Sequence, residues 1–159
     1  MTGVTQSGNV TPGHAVKWIT DGVIADGGVA QTSKTVLASL LSADMNSIAD
    51  QPLILPPSLT AFSITGIIAT NSNVSLTTAA GGLYPQASKG GVAIVANSQV
   101  YSSLTAASKL LNCTVAGAAL ATYYTRANVP DWVIYLSLTS AQGSAAVADF
   151  YLLGVDLTV

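Results

Sequence analysis

The chain has 159 residues, half of them hydrophobic and only 8% charged, against about 25% charged in an ordinary soluble domain. One domain of this length, with a short appendage, buries roughly 70% of its unfolded surface, so the composition excludes a disordered chain. Seven Asp, no Glu, four Lys and one Arg give a net charge of −2, which leaves no basic stripe to neutralise a row of phosphates and argues against nucleic-acid binding.

Within the Gly-rich first thirty residues, His14 to Thr20 and Val23 to Asp26 are apolar runs around Asp21-Gly22, a dipeptide suited to a type I′ turn. They predict a β-hairpin. Thr11-Pro12-Gly13 before it and Gly27-Gly28 after it bound the unit. Two strands alone are marginally stable, so the hairpin needs something to pack on. Residues 31–52 predict a linker or a short helix, because Val36, Leu37, Leu40 and Leu41 recur at helical spacing behind Thr32-Ser33; an ordered extended segment is also compatible. From residue 53 onward, β-branched and aromatic runs separated by turn signals predict nine short strands: 53–55, 61–70, 74–77, 91–96, 100–104, 110–115, 119–125, 132–139 and 146–158. The first is bracketed by Pro52, Pro56 and Pro57 and is expected to be an edge or lead-in strand. The last is apolar on both faces from Phe150 to Leu157, as for a central strand or one covered by a neighbouring subunit. The expected fold is all-β, a jelly-roll-like β-sandwich over residues 53–159 with an N-terminal extended arm and β-hairpin over residues 1–30.

The mean hydropathy of +0.53 prompts the question of a membrane, yet a spanning helix needs about 20 apolar residues. The longest stretch, Leu110 to Tyr124, is interrupted by Asn112, Thr114 and Thr122, so no span is expected. The opening MTGVTQSGNV has neither the basic nor the apolar region of a signal peptide, and synthesis in a cytoplasm is expected. So few charges cover a monomer's surface poorly, and an oligomer that hides apolar area between subunits is the expected state.

Residues able to carry chemistry are scarce. His14 is the single histidine, so neither a multi-histidine metal site nor a Ser-His-Asp triad with its GxSxG elbow is expected within one chain. Cys113 is the single cysteine and reads as a small buried apolar residue. The Asp residues are scattered; Asp21 and Asp26 lack the calcium-loop pattern, while Asp149 and Asp156 are expected to face solvent or to pair with a base such as Arg126. Lys89-Gly90-Gly91 lacks the order of a phosphate loop and reads as a turn. The Asn-x-Ser/Thr triplets at Asn9, Asn73 and Asn112 carry no weight without a secretory signal. Trp18, Tyr84, Tyr101, Tyr123, Tyr124 and Trp132 suit a sugar-stacking platform if exposed together, and core or interface packing otherwise. No enzyme, metal or cofactor is expected.

Residues 7–28, SGNVTPGHAVKWITDGVIADGG, resemble the N-terminal segment SGxVTPGHxxxWxTDGVIxDGG shared by small virion and fibre proteins of tailed bacteriophages. Residues 67–84 and 87–91 are similar to the β-domains of such phage structural proteins. The resemblance implies a non-enzymatic virion component, commonly a homotrimer, attached through its N-terminal segment. Pro12, Gly13, His14, Val16, Trp18, Ile19, Asp21, Gly22, Val23 and Ile24 are the particle-anchoring candidates it points to. Small size and the lack of a repetitive shaft favour a capsid decoration (cement) protein or short head fibre on the capsid exterior, partnered by the major capsid protein or another virion protein. A tail-associated fibre or a module binding a receptor or host surface glycan is the alternative.

Overall fold

The computed structural model describes residues 35–158 and, before them, the backbone strands β1 (Thr5–Gln6), β2 (His14–Thr20) and β3 (Val23–Val29). The chain divides into two compact units, Met1–Ser33 and Lys34–Val159. In the first, the strand order is β1-β3-β2, with β2 antiparallel and β1 parallel to β3.

The second unit is an all-β sandwich of two antiparallel sheets. Its strands are β4 (Thr35–Asp44), β5 (Gln51–Ile54), β6 (Phe62–Thr70), β7 (Ala80–Tyr84), β8 (Leu110–Cys113), β9 (Tyr123–Tyr124), β10 (Val133–Ser140) and β11 (Val147–Asp156). One sheet has the order β5-β10-β7; the other runs β4-β11-β6-β8, with β9 also on β6. From β4 to β8 successive strands alternate between the sheets, and β10 and β11 do so again.

Period-two patterning drives this arrangement. On β11, Ala148, Phe150, Leu152 and Gly154 are buried while the residues between them are half-exposed; β10 buries Ile134, Leu136 and Leu138 in the same core. Tyr101 meets Phe150 edge-on at 5.5 Å, and Phe62 stacks on Tyr124 at 5.1 Å and meets Trp132 edge-on at 5.7 Å. Pro52 lies in β5, which is an edge strand as its prolines predict. Gly154 is dictated by close approach: a Cβ there would lie 2.2 Å from the Ser63 carbonyl oxygen and 2.4 Å from Leu37 Cδ1.

The helix or linker expected over 31–52 is overturned, since Thr35–Asp44 is a full strand pairing with β11. The runs 74–77, 91–96 and 100–104 are not strands either. Val95 and Val100 make isolated bridges only, and the loops are tied by single bonds such as Leu76 N–H to the Leu104 carbonyl at 3.0 Å and Tyr101 N–H to the Ala79 carbonyl at 3.1 Å. The expected strand 119–125 is cut down to β9, preceded by α1 (Gly117–Leu120), a single turn.

Candidate interaction surfaces

The anchoring candidates fall on the N-terminal unit. His14, Val16, Trp18 and Ile19 lie on β2, and Val23 and Ile24 on β3, with Trp18 in register with Ile24 and Val16 with Asp26. The third strand adds Thr5 opposite Val23 and Gln6 opposite Ile24. Pro12, Gly13, Asp21 and Gly22 lie outside the described residues, as do the turn 11–13 and Asn9.

In the sandwich, the groups with chemical potential serve the fold. The buried Cys113 thiol is pushed up to about 12 by burial, so it stays protonated. Burial likewise holds the Tyr101 phenol well above its usual range, with Cys113 and Tyr84 adding smaller effects in the same direction, and its hydroxyl donates to the Gly81 carbonyl at 3.1 Å. Asp149 does not pair with Arg126. Its carboxylate accepts from the Ser42 N–H at 2.7 Å and Asn71 Nδ2 at 2.8 Å, two residues in the left-handed region with φ of 54° and 53°. Asp156 accepts from the Thr158 N–H, and Arg126 sits 4.8 Å from the Trp132 ring centroid. Tyr135 donates to Asp131 Oδ2 at 3.3 Å; burial first and the Asp131 carboxylate second raise its phenol. Residues 87–90 form a turn, closed by the Gly90 N–H on the Ala87 carbonyl at 3.0 Å, with Ser88 and Lys89 both at positive φ. Among the described residues, no group of three or more His, Cys, Asp or Glu could hold a metal ion, and no helix is long and apolar enough to cross a membrane.

Four of the six aromatics pack in the core, as the packing reading expects, and form no exposed platform. Tyr84, Tyr101, Tyr124 and Trp132 are buried, and the Trp132 indole donates to the Pro56 carbonyl at 3.0 Å. Tyr123 alone of the described candidates is exposed; the Trp18 side chain lies outside the described residues.

The surface that residue-by-residue reading did not single out is the outer face of the β4-β11-β6-β8 sheet. Pairing sets Val36 on β4 opposite Leu153 on β11, and Tyr151 opposite Ile68 on β6. All of these are exposed or half-exposed. A shallow groove on this face runs over Thr65, Gly66 and Ile68 toward Asn112, Leu120 and Leu153. Its signal in the sequence is the doubly apolar run of β11. No protein family, curated protein or solved structure matches the chain.

Proposed function

We propose that this chain is a non-enzymatic structural protein of a tailed-bacteriophage virion: a homotrimeric capsid decoration protein or short head fibre, held on the capsid exterior by its N-terminal segment and bound to the major capsid protein or another virion protein. The observation that carries this reading is the phage-like string of residues 7–28, together with the separateness of the Met1–Ser33 unit that contains it. A compact β-unit distinct from the sandwich suits a protein that docks through one part of its chain. We also infer that the sandwich is a jelly roll, a fold common in viral capsids. Support comes from the alternation of strands between sheets and from the neighbouring of first and last strands, β4 and β11. Fold alone does not assign function.

Deleting Met1 to Gly28 tests the anchor. The sandwich should keep its melting transition while the protein no longer co-sediments with particles; retained binding would sink the assignment. A tail-borne glycan-binding module is the weaker reading, because four of the six rings that would have stacked on a sugar, Tyr84, Tyr101, Tyr124 and Trp132, are in the core.

A further inference from the structure

We draw no further inference here: the strongest candidate, the outward apolar face of the β4-β11-β6-β8 sheet around Val36, Ile68, Tyr151 and Leu153, carries nothing, because nothing in the structure shows what covers it.

Discussion

Single side chains do work in this sandwich that a strand ladder does elsewhere. Gln142 joins the loop before β7 to the loop before β11: its Oε1 accepts from the Thr78 and Ala79 N–H groups, and its Nε2 donates to the Ser75 carbonyl and Thr77 Oγ1, all at 3.2 or 3.3 Å. Replacing it by alanine strands backbone groups of both loops, and urea unfolding of Gln142→Ala should show a loss of about 1–3 kcal/mol. Gly154→Ala forces Leu37 and the β6 backbone apart; a loss of about 1–3 kcal/mol, typical of overpacking, is expected in the same measurement. Cys113 gives a pH prediction with a definite sign. The thiol ionises near its ordinary 9.0 in the unfolded chain and near 12 in the native one, so between those values only the unfolded chain has released the proton. Stability is therefore fully present below pH 9 and falls as pH climbs toward 12, by about 1.4 kcal/mol per pH unit from this group. Tyr101 acts in the same sense above its ordinary 10.0. Denaturant titrations at stepped alkaline pH would show the slope, and a Cys113→Ala chain should show a shallower one.

At the scale of elements, β4 separates what the sequence makes legible from what it hides. β11 is the clearest case, because Phe150 and Leu152 fall on strict alternation and burial follows it; β10 alternates over Ile134 and Leu136 and then buries Ser137 beside Leu138. β4 is hidden by its irregularities. Its pairing with β11 slips twice, between Ala148 and Phe150 and between Leu152 and Leu153. Each slip adds a residue to the β4 side, and Ser42, inside one of them, takes a positive φ. The offsets break the alternation, setting Leu37 and Ala38 side by side in the core, so no period of two shows in a segment that is nonetheless extended. A stability comparison checks the strand: Leu37→Ala, at a buried position, should cost about 2–5 kcal/mol, and Leu41→Ala, 61% exposed, within about 0.5 kcal/mol. Equal effects would contradict the bulged register. The runs 74–77 and 100–104 mislead for the opposite reason. Leu76, Tyr101 and Leu104 are apolar because they plug the core from loops, and burial without a ladder leaves the same residue types as burial within one. Of the candidate surfaces, the hairpin is marked in the sequence by the string 7–28, while the outward apolar residues of the β4-β11-β6-β8 sheet are visible only once pairing is known.

For the molecule as a whole, scarcity of charge and the apolar outer face are one fact seen twice. Half the chain is hydrophobic, and a sandwich of this size has one core in which to place those residues. The remainder, Val36, Leu110 and Leu120 among them, stays at the surface. In the oligomer proposed above, contact between subunits would give that remainder somewhere to go. Partial burial there is consistent with β11 being apolar on both sides.

The neighbouring of β4 and β11 also sets an order of events during synthesis. Asp149 holds Ser42 across 107 positions of chain, and β11 is the strand that joins β4 to β6. A nascent chain lengthening on the ribosome therefore carries β4 and β6 as unjoined edges until residue 156 has emerged, and closing so long a loop slows the final step. Throughout that interval two strand edges are open to other nascent chains of the same kind, so neighbouring ribosomes on one message bring with them a hazard of mispairing.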